Sequence, residues 1–420
     1  NGQIQLMTKP IVSPTGVQAL GVRPFGLVEM SNGDLAMTIE MATTLTGGEP
    51  TITFSSDGGN SWSAFQSSGS FGMLANHGGS TLSTSGDGGA VKHFSTDFGQ
   101  TWGPAVPMPT VNAFGWQAEG NSGVDRDLSG NATKIMEVGD GNGEASFPEG
   151  PFKSYYREST DGGTTWTGAG GTGSETDPGA AWQYNSLDGF SMPVLRGTSE
   201  GSIVRADNGN LVAALRTDLP PVYYDGVNGP NAVTDDLEGT AISISSDNGA
   251  TWSTMSVLYE AGRHHGNLQK MASGDLVLTM INRNDIRGSI NGTSADLTTN
   301  MRGVDMLIST DNGATWDLDK RITLHETEFL DSNPNNWANA QVGHLATTVL
   351  SDGSLVTAYG SFLVDNGQVD QGRAATVLVK WDPSTATVLP LMDWGNNASG
   401  DWNSTENWAQ SLAPQDKHST

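Results

Sequence analysis

Cysteine is absent from all 420 residues of the chain. The protein therefore forms no disulfide bonds and has no thiolate for catalysis or metal binding. No run of apolar residues is long enough to cross a membrane as a helix. Basic residues are scarce, with 20 Lys and Arg against 46 Asp and Glu, and the formal net charge of −26 argues against nucleic acid and anionic membranes as partners.

Glycine is abundant instead, with 55 residues, and runs of helix-favouring residues are nearly absent. Short alternating stretches are separated by Asn-Gly, Asp-Gly and Ser-Gly pairs, which predicts an all-β fold. The chain begins at Asn1 rather than Met, so we expect a processed or trimmed product. On composition we expect a secreted or periplasmic bacterial protein. We also expect a monomer.

One eight-residue motif recurs five times, with Ser, Asp, Gly and Trp at nearly fixed positions. The copies start 40, 64, 86 and 64 residues apart, which indicates a repeat architecture with a constant core and variable loops. They span Ser55 to Trp62, Ser95 to Trp102, Ser159 to Trp166, Ser245 to Trp252 and Ser309 to Trp316.

Each copy has the chemistry of a tight turn between two strands. The Asp can accept hydrogen bonds from backbone N–H groups, and the Gly two residues later permits a positive φ. The Trp supplies an apolar anchor, and strand-like stretches such as residues 51–54 and 241–244 precede the motif. A structural role for the motif is therefore favoured over a catalytic one.

The motif resembles the Asp box of the sialidase (neuraminidase) superfamily. That resemblance covers about residues 20–381 and implies a six-bladed β-propeller of four-stranded antiparallel blades. In that family the Asp boxes lie on the rim of the propeller, away from the active site. Function must then be sought at the opposite end of each blade.

A second repeat supports six blades. Its unit is an apolar strand, a turn with Gly and a second apolar strand, and it is clearest around Gly33, Gly209, Gly274 and Gly353. Weaker copies begin near His77 and Glu119. The strand Ile4–Met7 is predicted to complete the last blade and close the ring. We assign residues 1–389 to the propeller and 390–420 to a Gly/Asn/Trp-rich linker or truncated module.

Register predicts a central pocket, because the inner strands of a propeller begin at one face. Glu200, His265 and His344 each lie nine residues before the turn glycine of their blade. A lone His or Glu at a strand end is usually solvated or bonded to backbone, but the repeated register favours function. The predicted cluster contains Arg23, Glu200, Arg216, His265, Arg283, Arg302, His344 and Tyr359, with His77 and Glu119 as further candidates.

Several arginines in one pocket favour a carboxylated ligand. The resemblance implies three arginines that grip a substrate carboxylate. Arg23, before Pro24, is similar to the first, Arg216 to the second, and Arg283 or Arg302 to the third.

Two departures from the family pattern bear on the chemistry. His344 stands where the nucleophilic Tyr of sialidases is expected, and Gly360 stands where a Glu is expected. The loop before the first motif lacks the acid/base Asp of the family and offers only Glu49.

The leading hypothesis is an exo-acting, sialidase-like glycoside hydrolase of an acidic glycan. Glu200 would act as base or charge stabiliser, and His265 or His344 would transfer protons. A polysaccharide lyase of uronate glycans is the alternative, with His344, His265 and Tyr359 as acid and base and arginine to neutralise the carboxylate. A non-catalytic glycan-binding propeller is the third.

No cofactor is predicted, although acidic loops could hold a structural calcium ion. Three histidines from different blades could meet around a metal, but no short His spacing supports one, so no metal ligand is predicted.

Overall fold

The structure is a computed structural model. It describes residues 5–7, 21–44, 47–68, 72–86, 91–108, 115–117, 121–142, 154–167, 185–186, 197–218, 238–259, 262–282, 301–328, 344–365 and 368–382. These residues form an all-β protein in which the helical structure is a single 3-10 turn, Leu318–Lys320. No helix among them has the length and hydrophobicity to cross a membrane. The predicted module at 390–420 lies outside the described residues.

Six small sheets are arranged as the blades of a propeller, which confirms the predicted fold class. Strand β1 (Gln5–Met7) belongs to the last blade. Blade one contains β2 (Gly21–Glu29), β3 (Leu35–Thr44), β4 (Gly47–Ser55) and β5 (Gln66–Ser67). Blade two contains β6 (Leu74–Gly78), β7 (Thr81–Gly86), β8 (Val91–Ser95) and β9 (Val106–Pro107). Blade three contains β10 (Gly115–Gln117), β11 (Gly123–Arg126), β12 (Ala132–Asn142) and β13 (Ser154–Ser159).

Blade four has five strands rather than four. They are β14 (Asn185–Ser186), β15 (Gly197–Arg205), β16 (Leu211–Asp218), β17 (Gly239–Ser245) and β18 (Ser256–Tyr259), and the short β14 pairs in parallel with β18. Blade five contains β19 (Arg263–Lys270), β20 (Leu276–Asn282), β21 (Met301–Ser309) and β22 (Ile322–Glu328). Blade six contains β23 (Leu345–Val349), β24 (Leu355–Asp365), β25 (Gln368–Trp381) and β1.

The N-terminal strand closes the ring. β1 pairs antiparallel with β25, with Gln5 opposite Lys380 and Met7 opposite Leu378. Blade six is therefore built from both ends of the propeller, as the sequence predicted. Pairing with β1 covers part of the outer edge of β25 and leaves a strand of three residues at the edge of the blade, and short edge strands limit aggregation.

The five motif turns share one hydrogen-bond pattern. In the first, Gly59 N donates to Ser55 Oγ at 2.8 Å, and Ser61 N and Oγ donate to the two oxygens of Asp57 at 2.8 and 2.6 Å. The other four turns repeat these bonds. The turn is thus satisfied by its own side chains, which explains why so short a sequence recurs intact.

Apolar layers between neighbouring sheets form the core. Between blades five and six, for example, Met306 and Leu324 pack with Leu355 and Val379. Inner strands approach closely at glycines, and a Cβ added to Gly26 would lie 2.5 Å from the Cβ of Leu74 in the next blade. These contacts hold the inner strands in the radial arrangement that aims their first residues at the axis.

A buried ion network joins blades two and three. Glu137 accepts from Lys92 Nζ at 2.6 Å and from Arg157 Nε at 2.8 Å, and all three side chains are fully buried. Both cations also lie over the ring of the motif residue Trp166. Burial opposes ionisation of Glu137, yet Lys92 and Arg157 outweigh it and lower its pKa to about 2.

Candidate active site

Backbone irregularities at the start of the inner strands aim side chains at the axis. In β15 the pairing register shifts between Thr198 and Gly201, and in β19 it shifts between His264 and Asn267. Such bulges re-aim side chains at the rims of sheets. Glu200 lies in the first bulge and His265 in the second, so both leave the regular alternation of their strands.

His265 and His344 share a left-handed backbone conformation, with φ of 53° and 56°. The other non-glycine residues with positive φ in the described part of the chain are Phe98, Asn248 and Asn312, all at the fourth position of motif turns. A non-glycine residue held in this region costs about 1–3 kcal/mol and persists where its surroundings fix it, often at functional sites.

The structure brings Glu200, Arg216, His265 and His344 together, as the register predicted. The rings of His265 and His344 have centroids 5.2 Å apart, and the His344 ring stacks on Phe25 of blade one at 4.3 Å. His265 Nδ1 lies 3.5 Å from Glu200 Oε2. The first residues of blades four, five and six thus line one end of the propeller axis.

Arg216 joins two carboxylates at this end. Its Nη1 donates to Glu200 in a very short hydrogen bond, and its Nη2 lies 3.0 Å from Glu238 Oε1. The side chains are 17% exposed for Arg216, 8% for Glu200 and 2% for Glu238. Two nearly buried carboxylates therefore share one guanidinium, which places a strong local charge beside the histidines.

A second histidine extends the cluster. His264 Nδ1 lies 3.0 Å from Glu238 Oε2, and the rings of His264 and His265 have centroids 4.2 Å apart. Each histidine therefore faces one carboxylate, and Arg216 links the two carboxylates. We call these five residues, Glu200, Arg216, Glu238, His264 and His265, the His–Glu cluster.

Asn121 of blade three bridges the inner strands of two other blades. Its Nδ2 donates to the carbonyls of Leu27 at 2.6 Å and Thr347 at 2.7 Å, and its Oδ1 accepts from Leu27 N at 2.9 Å. One side chain of blade three thereby ties together the inner strands of blades one and six. The sequence analysis missed Asn121, although it lies nine residues before the turn glycine Gly130 and so has the same register as Glu200.

Tyr359 is placed elsewhere than predicted. It is fully buried in the apolar layer between blades five and six, and its hydroxyl makes a very short hydrogen bond with His325 Nδ1. The prediction assumed that the second strand ends at Tyr359. Because β24 continues to Asp365, Tyr359 lies mid-strand on a face that packs against the neighbouring blade.

His77 also lies away from the pocket end of its blade. β6 ends at Gly78, so His77 is next to the turn and close to the motif glycine Gly163. Its Nε2 is 2.8 Å from Ser83 Oγ, and burial, with Lys92 nearby, lowers its pKa to about 4. The prediction took His77 as the start of the blade, but the inner strand begins at Leu74.

Four predicted residues cannot be placed in the pocket. Glu119 and Arg283 lie outside the described residues. Arg23 and Arg302 belong to β2 and β21, where they pair with Glu40 and Thr327, but their side chains lie outside the described part. Their roles in binding a substrate stay predictions.

Glu238, His264 and Phe25 lie beside the predicted residues but were not predicted from the sequence. Glu238 directly precedes β17 after a long connection, where no spacing rule applies. His264 precedes a predicted residue on a strand, where neighbouring side chains normally face opposite ways. In blade one the position nine residues before the turn glycine is Pro24, which has no ionisable or polar side chain, and Phe25 is the residue after it.

No protein-family model matches the chain, and no curated protein matches its sequence. Solved structures do match its fold. A protein of unknown function from Dyadobacter fermentans is 14% identical with a TM-score of 0.54, over 89% of this chain and 98% of that chain. The intramolecular trans-sialidase from Ruminococcus gnavus is 10% identical with a TM-score of 0.52, over 91% and 99% of the two chains. The NanB sialidase from Streptococcus pneumoniae is 11% identical with a TM-score of 0.50, over 91% and 71%.

These likenesses establish the class of fold, a six-bladed β-propeller. At such low identity they say nothing of the reaction.

Proposed function

We propose that the chain is a glycoside hydrolase that removes a terminal acidic sugar, such as a sialic acid, at the pocket formed by the His–Glu cluster and His344. The observation that carries the proposal is the convergence of Glu200, Arg216, His265 and His344 at one end of the propeller axis. Sialidases among the matching structures, and the resemblance of the five motif turns to Asp boxes, support this choice of substrate class.

Acid–base chemistry is assigned to Glu200 and His265. They are 3.5 Å apart, close enough for a modest movement to bring them into a hydrogen bond. Histidine exchanges protons readily near neutral pH, and a positioned acid or base contributes about 10²- to 10⁴-fold to rate. Glu200 then serves as base or stabilises positive charge on the sugar, and His265 carries the proton.

Recognition of the sugar carboxylate is assigned to arginine. Arg216, similar to the second arginine of the sialidase set, holds the Glu200 and Glu238 carboxylates in place at the pocket wall. Arg23 and either Arg283 or Arg302 are the other two arginines that the resemblance to sialidases implies for binding the carboxylate. A planar guanidinium binds a carboxylate through two parallel hydrogen bonds, which suits this role.

The test is a hydrolysis screen of the full chain on fluorogenic sialosides and on uronosides. Glu200→Gln and His265→Asn should each lower kcat/KM by about 100-fold or more, since Asn keeps the left-handed backbone of residue 265 while removing the proton carrier. His93→Gln is the matched control. Its histidine bonds Gly103 O at 2.9 Å in blade two, and its loss should leave the rate unchanged.

The same screen separates the alternatives. A lyase would release an unsaturated uronate that absorbs in the ultraviolet. The lyase hypothesis uses Tyr359 as an acid or base, and the burial of Tyr359 between blades five and six disfavours that role. Binding of acidic glycans without turnover, unaffected by Glu200→Gln, would indicate a non-catalytic propeller. Turnover of none of these substrates would overturn the proposed function.

A further inference from the structure

Glu238, His264 and His265 form a candidate site for a metal ion. Each offers one ligand atom, these atoms all lie within 4.8 Å of one another, and all three residues are buried. The set combines two imidazoles with one carboxylate, a combination found in catalytic zinc sites. No metal ligand was predicted from the sequence, where only single histidines from separate blades were considered.

The backbone of β19 is shaped to put consecutive histidines on one side. Successive residues of a regular strand point to opposite faces of the sheet. Here the register shift between His264 and Asn267 and the left-handed φ of 53° at His265 bring the two rings to a centroid distance of 4.2 Å. Holding His265 in this left-handed conformation costs conformational energy. Such a cost is typical of functional sites rather than of residues that only fill space.

The distances fit a small ion. Two ligands each 2.0–2.1 Å from a tetrahedral Zn²⁺ are about 3.3 Å apart. His264 Nδ1 and Glu238 Oε2 are separated by 3.0 Å, so an ion between them requires only a small displacement. Glu200 Oε2 lies 3.5 Å from His265 Nδ1, but it already accepts a hydrogen bond from Arg216 Nη1 and is not counted as a ligand.

The surroundings supply the support that metal ligands generally have. Arg216 Nη2 holds Glu238 by its other oxygen, Oε1, at 3.0 Å, which fixes the orientation of the carboxylate. A divalent cation bound here would place positive charge beside two carboxylates that are 8% and 2% exposed. A proton shared between His264 and Glu238 would do the same, so the two must be told apart by experiment.

We propose that Glu238, His264 and His265 bind one divalent transition-metal ion of the Zn²⁺ type. The mixed nitrogen and oxygen donors favour such an ion over Ca²⁺ or Mg²⁺, which prefer oxygen ligands alone. The site shares His265 with the proposed active site, but binding of the ion does not depend on glycosidase activity. As a metal ligand His265 cannot also carry the proton, so the proton transfer proposed above belongs to the metal-free chain.

Binding is tested on the untagged full chain after treatment with a chelator. Isothermal titration with ZnSO4 should give about one tight site per chain, and metal analysis after dialysis should give the same ratio. His264→Gln and Glu238→Gln should weaken binding by about 100-fold or more, since each removes a ligand. His93→Gln, the matched control, should bind as the unchanged chain does.

Zinc K-edge X-ray absorption of the unchanged chain guards against variants that fail to fold. It should show two imidazole ligands and a first shell near 2.0 Å. No stoichiometric binding, equal binding by His264→Gln, or a spectrum without imidazole scattering would each overturn the proposal. Because every readout is made without substrate, failure of the glycosidase screen leaves these results unaffected.

Discussion

Replacing Arg216 by glutamine tests whether burial gives this residue its importance. Arg216 pairs with Glu200 and Glu238, and its side chain is 17% exposed while the carboxylates are 8% and 2% exposed. Removing one member of a nearly buried ion pair costs about 3–5 kcal/mol, because charge is left without compensation. We expect Arg216→Gln to lower the free energy of unfolding by about that amount.

Arg205→Gln is the matched control on the same blade. Arg205 also makes several polar contacts, to Asp125, Gly209 O and Asn248, but it and Asp125 are 21% and 23% exposed at the other end of the blade. A pair exposed to this extent contributes about 1 kcal/mol or less. Urea unfolding of both variants, followed by tryptophan fluorescence, measures the difference.

Equal losses for Arg216→Gln and Arg205→Gln, within about 0.5 kcal/mol, would refute the reasoning that burial rather than contact number decides the effect.

Three further predictions concern the scaffold. Glu137→Gln removes the carboxylate that two buried cations share and should cost about 3–5 kcal/mol in urea unfolding, against about 1 kcal/mol for Glu158→Gln, whose salt bridge with Lys134 is partly exposed. Asn121→Ala removes hydrogen bonds to backbone groups of blades one and six and should lower the melting temperature. Asn32→Ala, at an exposed turn, is the control, and an equally large drop in its melting temperature would contradict this role of Asn121. Folding lowers the pKa of Glu137 from 4.5 to about 2, so its contribution to the free energy of unfolding is complete above pH 4.5 and is lost as the pH falls towards 2. Between these values the stability of the unchanged chain should fall more steeply with decreasing pH than the stability of Glu137→Gln.

Most of the fold could be predicted from sequence, because its signals are local. Each motif turn is closed by hydrogen bonds between residues at most four apart, such as Gly59 N to Ser55 Oγ. A repeated local structure is visible as a repeated short sequence. Closure of the ring by β1 could also be predicted, because only a strand at the other end of the chain could complete blade six.

The pocket could be predicted in part. Glu200, His265 and His344 were found because the distance from pocket end to turn is constant in regular blades. Tyr359 was misplaced because the length of β24 is set by pairing with β25 out to Asp365, which leaves no short-range mark in the sequence. The role of His264 depends on a bulge, and bulges likewise leave no periodic signal.

The position nine residues before the turn glycine has different roles in different blades. Pro24, Asn121, Glu200, His265 and His344 all lie nine residues before the turn glycine of their blades, and the structure brings the last three together. Asn121 uses the position to bond the inner strands of blades one and six. Blades four, five and six place ionisable groups there. The fold thus fixes where this side chain lies. The residue type decides whether it bonds the inner strands of other blades, as Asn121 does, or adds an ionisable group to the candidate site, as Glu200, His265 and His344 do.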